Sequence, residues 1–497
     1  MVIATVDTAL EFETVIGLEV HAQLITRSKM FCGCSAAAFT SDPNANVCPI
    51  CLGMPGVLPV INRAAVRQAV RVALALHGNV QTESKFDRKN YTYPDLPKGY
   101  QISQYDLPLS IGGHVEIVTD GGVKRVGITR VHMEEDTGRS MHRRHMDGAA
   151  YSLVDLNRAG VPLLEIVSEP DLRSAEDARR YLETMRDLLR YIGASTGNME
   201  EGALRCDANV SLRPRGTEEF GAKVEIKNVN SFRGVYRAIQ YEVERQAAAL
   251  RAGGSLIQET RGWSEERGVT IGQRTKEFAD DYRYFPEPDL PTLALSAAFI
   301  ADARASLPEL PDARRARYVA SYGLNTMDAL ALTESPAIGD YFQSIIDASA
   351  SAGADREHVR LAAAFITNDW FTLRNERGLP LSAAPPAANM IALIDLLARG
   401  ALSRTSAKTV FVEMVETSDP PRAIIDRRGL AQQNDESALL TIIDEAIAAN
   451  PKPVADYRAG KEAALNAIVG AVMRLSTGTA NNQVVRALLQ QRLAPSE

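Results

Sequence analysis

The chain has 497 residues, of which 45% are hydrophobic and 24% are charged, and it carries a formal net charge of -7. That balance is ordinary for a soluble globular protein of two to four domains. No apolar run approaches the roughly 18 residues of a membrane span, and residues 1–13 contain no Lys or Arg, which excludes a secretory signal or a typical transit peptide. Five cysteines in this length do not suit a disulfide framework, so we expect a cytoplasmic protein with no membrane partner.

The first predicted element is a strand over residues 16–24, where apolar and polar residues alternate strictly. The alternation places Glu19 and His21 on one face together with Gly17 and Gln23, while apolar residues cover the other face. A carboxylate beside an imidazole needs no core-packing explanation. Two interpretations stay open: a face that lines a functional site, or a solvated face with unrelated polar residues.

Four of the five cysteines follow this strand, as the pairs Cys32 with Cys34 and Cys48 with Cys51. Two short pairs separated by thirteen residues can close a tetrahedral four-thiolate zinc site. The alternative is four unligated thiols in a reducing compartment. Zinc here would be architectural, because four protein ligands leave no open position for a substrate. Cys206 falls on the apolar face of a later strand, which favours a small buried hydrophobe.

The later elements do not follow a regular order. A helix is predicted over residues 63–77 with Gly78 as its stop, and another begins at Ser174 in the manner of a capping box. Strand patterns are interleaved with these helices around four positions: Val115, Val126, Tyr151 and Leu163. Because strands and helices do not alternate regularly, we expect a mixed α+β fold with a largely antiparallel sheet, not a doubly wound parallel one.

Polar clusters recur on the predicted strands. The strand from Val126 ends in the acidic run from His132 to Asp136. Two later strands, over residues 205–212 and 222–227, alternate in the same way as the first. A pocket that gathers several carboxylates usually also gathers a divalent cation, and oxygen ligands suit Mg²⁺ with a phosphate-bearing substrate better than zinc. The polar faces of the two later strands carry Asp207, Asn209 and Ser211, and Lys223, Glu225 and Lys227.

Several long strings of this sequence resemble one known family. The strings are Gly17-Leu18-Glu19-Val20-His21, Cys48-Pro49-Ile50-Cys51-Leu52-Gly53-Met54-Pro55-Gly56, Lys89-Asn90-Tyr91, Tyr93-Pro94-Asp95-Leu96-Pro97-Lys98, Asp281-Tyr282-Arg283-Tyr284-Phe285-Pro286 and Asp289-Leu290-Pro291. With these strings, and over the whole chain, the sequence resembles the B subunit of the aspartyl/glutamyl-tRNA(Asn/Gln) amidotransferases. Such long strings are more specific than any short catalytic motif.

The resemblance implies an ATP-dependent, glutamine-hydrolysing carbon–nitrogen ligase of protein biosynthesis. Such an enzyme converts Asp-tRNA(Asn) to Asn-tRNA(Asn), or Glu-tRNA(Gln) to Gln-tRNA(Gln), through an acyl phosphate on the side-chain carboxylate. It implies ATP and Mg²⁺ as cofactors, and a heterotrimer with an amidase-type glutaminase as its A component and a small C component. The chain itself lacks the nucleophile of a glutaminase, since residue 2 is Val and Cys206 lies between Arg205 and Asp207. Ammonia is therefore expected from the partner glutaminase.

Strand faces and the resemblance together select the candidate site. Lys89 is expected to contact phosphate, because a compact cation suits a moving phosphoryl group. Lys223 and Lys227 are equally well explained as a solvated strand edge, and His132 and Glu134 as an outer layer of the site or the other face of their strand. The expected magnesium ligands are Glu19, His21, Glu135, Asp207 and Glu225. The expected catalytic residues are Glu19, His21, Lys89 and Glu135. ATP is expected to contact Lys89, Asp207 and Glu225.

The pattern divides the chain into a catalytic kinase and transamidase domain over residues 1–294, a helical domain over 295–405 and a small helical tail domain over 406–497. Between Lys452 and Arg492 the tail has six basic residues against two acidic ones. Alone this indicates a solvated basic face, but the resembled tail domain binds tRNA.

Two other functions stay open on the sequence. A zinc-stabilised tRNA-binding module without catalysis leaves the acidic clusters unexplained. A magnesium-dependent ligase for a small carboxylic acid leaves the basic tail unexplained. The sequence does not decide between Asp-tRNA and Glu-tRNA, because one methylene separates the two substrates.

Overall fold

A computed structural model describes residues 12–144, 150–275, 282–351, 355–430, 436–476, 480 and 482–494. The chain forms two compact units, Met1–Leu310 and Pro311–Glu497. Asp281, which opens one of the family-like strings, lies outside the described residues. Residues 1–11, most of the stretch predicted to be neither a secretory signal nor a typical transit peptide, also lie outside them.

The described strands all belong to the first unit. Their bounds are β1 Phe12–Gln23, β2 Asn79–Val80, β3 Glu83–Ser84, β4 Asp87–Asn90, β5 Tyr100–Ser103, β6 Ser110–Ile111, β7 His114–Thr119, β8 Gly122–Glu135, β9 Arg139–Arg144, β10 Ala150–Asp155, β11 Pro162–Ser168, β12 Leu204–Pro214, β13 Val224–Lys227, β14 Glu259–Ser264, β15 Val269–Thr275, β16 Phe285–Pro286 and β17 Leu293–Ala294.

The described helices occur in both units. In the first unit they are α1 Pro49–Leu52, α2 Arg63–Ala75, α3 Ala175–Tyr191, α4 Phe232–Arg251 and α5 Ala297–Ala305. In the second they are α6 Pro311–Tyr322, α7 Thr326–Ala331, α8 Pro336–Ser351, α9 Arg356–Ala364, a π-helix over Phe365–Trp370, α10 Phe371–Arg377, α11 Ala387–Ala398, α12 Arg404–Thr417, α13 Pro421–Arg428, α14 Glu436–Ala449, α15 Pro451–Arg458, α16 Leu465–Leu475 and α17 Asn482–Leu493, with short 3-10 helices over Leu381–Ala383 and Glu462–Ala464.

A ten-stranded sheet organises the first unit. Its strand order is β15-β14-β13-β12-β1-β11-β8-β6-β2, with β7 paired to β8. The pairs within it are antiparallel except β13 with β14, which run parallel. This architecture confirms the predicted mixed α+β fold with a largely antiparallel sheet, followed by a helical region.

Local sequence explains the elements at the centre of this sheet. Strand β1 buries Ile16, Leu18 and Val20 almost completely, whereas Glu19 and His21 between them are only half-buried. Helix α3 begins as predicted, because the Ser174 side chain accepts a hydrogen bond from the Asp177 backbone N–H. Alternating burial thus gives each central strand one face for the core and one face for chemistry.

The stop predicted for α2 at Gly78 is wrong. The helix ends at Ala75, and the residue in the left-handed region is His77, with a φ of 58°. Gly78 has a different role, since a Cβ there would lie 2.5 Å from the Ser110 Oγ. The Gly78 N–H still donates to the Ala73 carbonyl at 2.8 Å at the end of the helix, but close packing against β6 explains why this residue has no side chain.

The core of the first unit lies between the sheet and its helices. Side chains from β1, β8, β11 and β12 pack with those of α2, α3 and α4 in one apolar cluster. Helix α5 contributes Ala303, which is fully buried in the same cluster. The helices cover the apolar face of the central strands, so the polar side chains of these strands lie on the other face.

The second unit is helical throughout its described residues and contains two separate apolar cores. One core runs from Tyr318 to Ile425 and the other from Leu439 to Leu493. The three-domain division at residues 294 and 405 stays a prediction. Among the described residues, no helix combines the length and the apolar character that crossing a membrane requires.

Candidate active site and cysteine cluster

Strand pairing aligns the polar residues of four neighbouring strands in rows across the sheet. His21 on β1 lies opposite Glu165 on β11, and Glu165 lies opposite His132 on β8. On the other side of β1, Glu19 lies opposite Asp207. Since directly paired residues project from the same face, the register gathers these side chains on the polar face.

His21 and Glu165 of one row form a compact group with Glu134, which lies two residues beyond His132 on β8. We call these three residues the histidine–glutamate group. Their ligand atoms all lie within 4.8 Å of one another. The His21 Nε2 is 3.3 Å from a Glu165 carboxylate oxygen. His132 lies against the same carboxylates, with its Nε2 3.3 Å from Glu134 and 3.3 Å from Glu165. Two carboxylates and an imidazole at this spacing are able to bind a divalent cation.

Electrostatics keeps both carboxylates of this group ionised. Burial opposes ionisation of Glu134, but the Lys89 ammonium and His132 lower its pKa to about 2. Burial likewise opposes ionisation of Glu165, and His132 and His21 hold the pKa of that carboxyl well below its usual range. The pKa of His132 is about 9, because its two carboxylate partners outweigh the effect of burial. The cationic side chains around the two carboxylates therefore hold both of them in the anionic form that a metal ion would bind.

The small sheet of β16, β4 and β5 brings Lys89 to this group. The Lys89 Nζ is 4.0 Å from a Glu134 oxygen and 5.1 Å from the centre of the Tyr282 ring. Burial lowers the pKa of Lys89, yet Glu134 and the other nearby groups raise it well above the usual value. Lys89 is thus a fixed cation beside the carboxylates, as a phosphate-binding residue needs to be.

A second group on the same face consists of Glu19, Asp207 and Glu225, which we call the Lys227 group because that lysine joins the last two. The Lys227 Nζ is 2.5 Å from Asp207 and 3.4 Å from Glu225. The Asn209 amide donates to Glu19 at 2.8 Å. Lys227 is therefore part of the candidate site and not a solvated strand edge. Lys223 lies outside β13, just before its first residue.

Glu135 is the one predicted ligand that the structure does not bring to the polar face. It shares its face of β8 with Met133 and Val131, which are buried apolar residues. Its carboxylate pairs with Lys98 and accepts the Ile102 backbone N–H at 2.9 Å. Strand alternation thus places Glu134 on the polar face with the site, and Glu135 on the opposite, apolar face of the sheet. The apolar Met133, two residues before Glu135, is the sequence signal that separates the two.

Sequence reasoning gave no role to Glu165, Arg158 or Arg205. Glu165 joins the histidine–glutamate group through the pairing of β1 with β11. Arg205, which lies opposite His21, donates to Asp136 at 2.8 Å, and Arg158 is 3.7 Å from the same carboxylate. The buried Asp136 also accepts from the Gln23 amide at 2.7 Å. These contacts close one end of the polar face, and they depend on long-range pairing that no local motif reveals.

The four clustered cysteines converge on one point, as their spacing predicts. The Cys51 Sγ is 3.6 Å from Cys32, 3.7 Å from Cys48 and 3.9 Å from Cys34. Four sulfurs bound to zinc at about 2.3 Å lie about 3.8 Å apart in a tetrahedron, so the donor set fits zinc. A hydrogen bond from Cys32 lowers the pKa of Cys51 to about 4 against the effect of burial, and the Lys29 charge adds to this. Cys206 is buried elsewhere, in the apolar core.

Comparison with known proteins now decides the family. Residues 14–301 match the family model of the GatB/GatE catalytic domain, and residues 340–493 match the model described as the GatB domain. The chain belongs to the GatB family, the B subunits of the tRNA-dependent amidotransferases. The first match contains every residue of the histidine–glutamate group, of the Lys227 group and of the cysteine cluster.

Individual relatives support membership of the GatB family over nearly the full length. The B subunit of the aspartyl/glutamyl-tRNA(Asn/Gln) amidotransferase of Thermomicrobium roseum is 53% identical over 485 residues, which are 97% of this chain and 99% of that protein. The proteins of the same name from Moorella thermoacetica and Carboxydothermus hydrogenoformans are 52% and 50% identical, over 97% of this chain and at least 99% of each relative. The family predicted from the sequence strings is confirmed.

Proposed function

We propose that this chain is the subunit that activates and amidates the amino acid of a mischarged tRNA. The substrate is Asp-tRNA(Asn), Glu-tRNA(Gln) or both, and the products serve translation in the cytoplasm. The observation that carries the proposal is the histidine–glutamate group beside Lys89, which joins anionic oxygen ligands to a fixed cation on the polar face of the sheet. Neither a tRNA-binding module nor a purely structural sheet needs such a group.

The chemistry divides into two balanced steps. First, an oxygen of the substrate side-chain carboxylate attacks the γ-phosphorus of ATP. The bond from this phosphorus to the β-phosphate oxygen breaks, ADP departs, and the substrate carboxylate becomes an acyl phosphate. Then ammonia attacks the acyl carbon, the carbon–oxygen bond to phosphate breaks, and inorganic phosphate and the side-chain amide are formed. Phosphoryl transfer depends mainly on positioning and on neutralisation of charge.

The side chains of the polar face have distinct tasks in this scheme. His21, Glu134 and Glu165 would hold Mg²⁺, with the Lys227 group as a neighbouring set of carboxylates. When bound, the ion neutralises and orients the phosphates of ATP. Lys89 would contact the transferred phosphoryl group. Arg205 and Asp136 would fix one end of the face, and so limit how the substrate enters.

The proposed assembly supplies what the chain lacks. An amidase-type glutaminase, the A component, would release ammonia, and a small C component would complete the heterotrimer. Zinc held by Cys32, Cys34, Cys48 and Cys51 would be structural, because all four positions of a tetrahedral ion are taken by protein sulfurs. The basic surface of the tail would bind tRNA.

The decisive experiment incubates the chain, assembled with its partner subunits, with each mischarged tRNA, ATP and ammonium chloride. We expect one amide to form for each ADP released, without any need for glutamine. The amino acid is stripped from the tRNA and separated chromatographically. Amide formation that proceeds equally well without ATP, or no amide with either tRNA, would contradict the proposal. A matched reaction with glutamine tests the glutaminase separately.

A further inference from the structure

Lys29 is the most anomalous charged residue of the first unit. Its side chain is fully buried, with 0% of its surface exposed. The Nζ donates to the Asn46 carbonyl at 2.7 Å, to the Leu156 carbonyl at 3.3 Å and to the Cys51 Sγ at 3.5 Å. Within the described part of the chain, Lys29 forms no ion pair with a carboxylate. A buried ammonium without a compensating negative charge is strongly unfavourable.

The sulfur cluster is the group that can supply this charge. Two carbonyl oxygens satisfy hydrogen bonds of the ammonium, but they carry no net charge. Four thiolates around one Zn²⁺ leave two negative charges in excess. The Lys29 ammonium lies next to this charge, because it contacts the Sγ of Cys51, one of the four ligands. A cation at this position therefore stabilises the thiolate form of the cluster, and the cluster in turn makes burial of the cation tolerable.

We propose that Lys29 is the counter-cation of the cysteine cluster and that it sets the affinity of the cluster for zinc. The inference rests on the zinc site proposed above and goes beyond it, because it assigns a residue outside the ligand set to metal binding. Lys29 acts through Cys51 and is a positioning residue, not a ligand. Ligand partners of this kind commonly change metal affinity by about 10- to 100-fold when they are removed.

The backbone around Lys29 connects the cysteine cluster to the polar face. The Lys29 N–H donates to the Cys34 carbonyl at 2.9 Å, and the Met30 N–H donates to the Gly160 carbonyl at 2.7 Å. The Gly160 N–H donates to the backbone carbonyl of Asp136, whose carboxylate Arg205 and Gln23 contact. At Gly160, whose φ is +84°, a Cβ would lie 3.4 Å from the Lys29 Cδ. Zinc bound near Lys29 would thus also hold the segment that supports Asp136.

The test compares full-length wild type with Lys29→Met, which keeps an unbranched apolar stem and removes the charge. Zinc affinity is measured by competition with a chelating dye, and we expect it to fall about 10- to 100-fold in Lys29→Met. In the cobalt-loaded proteins, the near-ultraviolet sulfur-to-cobalt absorption is expected to shift, because the charge beside one sulfur has changed. Lys124→Met is the matched control, since Lys124 pairs with Asp177 at 2.7 Å on another part of the unit; its zinc affinity should equal that of wild type.

Thermal unfolding separates a counter-cation from a residue that merely packs well. We expect Lys29→Met to lower the melting temperature more in the zinc-loaded protein than in the metal-free protein, because only the loaded cluster carries the full excess of negative charge. An equal loss in both states, or an unchanged zinc affinity and cobalt spectrum, would overturn the inference while leaving the zinc site intact. Wild type that binds neither metal would overturn the zinc site itself and the inference with it.

Discussion

Among the residues that the structure describes, two groups of side chains could hold a metal ion, and they differ in their ligand atoms, their place in the fold and their surroundings. The histidine–glutamate group is built on strands, offers oxygens and one imidazole, and lies on the polar face of the sheet. The cysteine cluster follows β1 in the chain, offers four sulfurs, and draws them from two short segments. The first suits an ion that is shared with a substrate, whereas the second suits an ion that serves only the fold.

The difference also explains what holds each group together. Register fixes the first: moving β1 by one residue relative to β11 would turn His21 to the core face. Charge and sulfur geometry fix the second, because its segments lie outside the ladder of hydrogen bonds that defines the large sheet. The first group is therefore expected to survive removal of its metal, and the second to loosen.

The largest expected effect on the rate of amide formation comes from replacing Glu134, the first of the two adjacent glutamates of β8. Glu134→Gln removes a charged ligand from the histidine–glutamate group, and we expect ATP-dependent amide formation from ammonia to fall by about 100-fold or more. Mn²⁺ binding, measured by equilibrium dialysis on the folded protein, should weaken with it. Glutamine hydrolysis should change much less, since the proposed assembly assigns that reaction to another chain.

Glu135→Gln is the matched control, one residue further along the same strand. It breaks the nearly buried pair with Lys98, so we expect a loss of stability of about 3 kcal/mol. Per folded molecule, Mn²⁺ binding should stay close to that of wild type. If Glu135→Gln abolishes Mn²⁺ binding and Glu134→Gln does not, the assignment by strand face is wrong and the ligand predicted from the sequence is restored.

Glu134 and Glu135 also mark how far the sequence could be interpreted. The family and the central strands β1, β12 and β13 with their polar faces were predicted correctly, because alternation along these strands is a local property that burial imposes. The short strands β2 to β6 and the strands β14 to β17 were not predicted. In β8 the acidic run hides the alternation, since both parities carry carboxylates at its end. Only the apolar Met133 distinguishes them.

Other parts of the site were out of reach for a different reason. Glu165 joins His21, and Lys89 reaches Glu134, through contacts across long stretches of chain that a single sequence does not determine. Lys29 shows the same limit at the cysteine cluster. Its surroundings include Leu156, which is 127 residues away, so its burial could not be foreseen from its neighbours in the chain. The residue types predicted which chemistry the site supports, but the long-range contacts of the fold determine which residues come together in the site.

The second prediction concerns the cysteine cluster and tests the other half of the comparison. Cys48→Ser removes one of four thiolates, and metal affinity is coupled to local folding, so zinc content and melting temperature should fall together. Elemental analysis and thermal unfolding are the measurements. Cys206→Ser is the control, because Cys206 is buried in the apolar core and should affect stability without affecting zinc. A wild-type protein purified without chelator that contains no zinc would contradict the site.

Chelation extends this contrast between the two groups. Brief treatment with EDTA followed by excess Mg²⁺ should restore amide formation fully if only the histidine–glutamate group lost its ion. Removal of zinc with a chelator that takes the ion from thiolate sites should lower the melting temperature. Added Mg²⁺ should not restore the melting temperature. Full recovery with Mg²⁺ after zinc has been removed would show that the cysteine cluster does not support the fold of the catalytic unit.

The smallest expected effect concerns tRNA binding by the tail. The six basic residues between Lys452 and Arg492 are not equivalent in their surroundings. Lys461 is 2.9 Å from Asp456 and Arg492 is 2.7 Å from Asp444, so acidic neighbours already offset these two charges. Cations whose charge is offset release fewer counter-ions when they meet phosphate. The remaining four are Lys452, Arg458, Arg474 and Arg486.

The comparison is between two full-length variants assembled with the partner subunits. One replaces the four residues named last by Gln, and the other replaces Lys461 and Arg492. Each phosphate contact contributes about 0.7–0.9 to the slope of log affinity against log salt. Loss of four contacts should therefore reduce the slope by about three and weaken tRNA binding by at least about tenfold in the first variant. The slope for the second variant should fall by less than about one.

Filter binding across a salt series measures both the affinity and the slope. Saturating tRNA should restore the rate in both variants, because none of the substituted residues belongs to the side chains proposed for the chemistry. Equal slopes for wild type and the first variant would mean that the basic face of the tail is merely solvated and that another surface holds the tRNA.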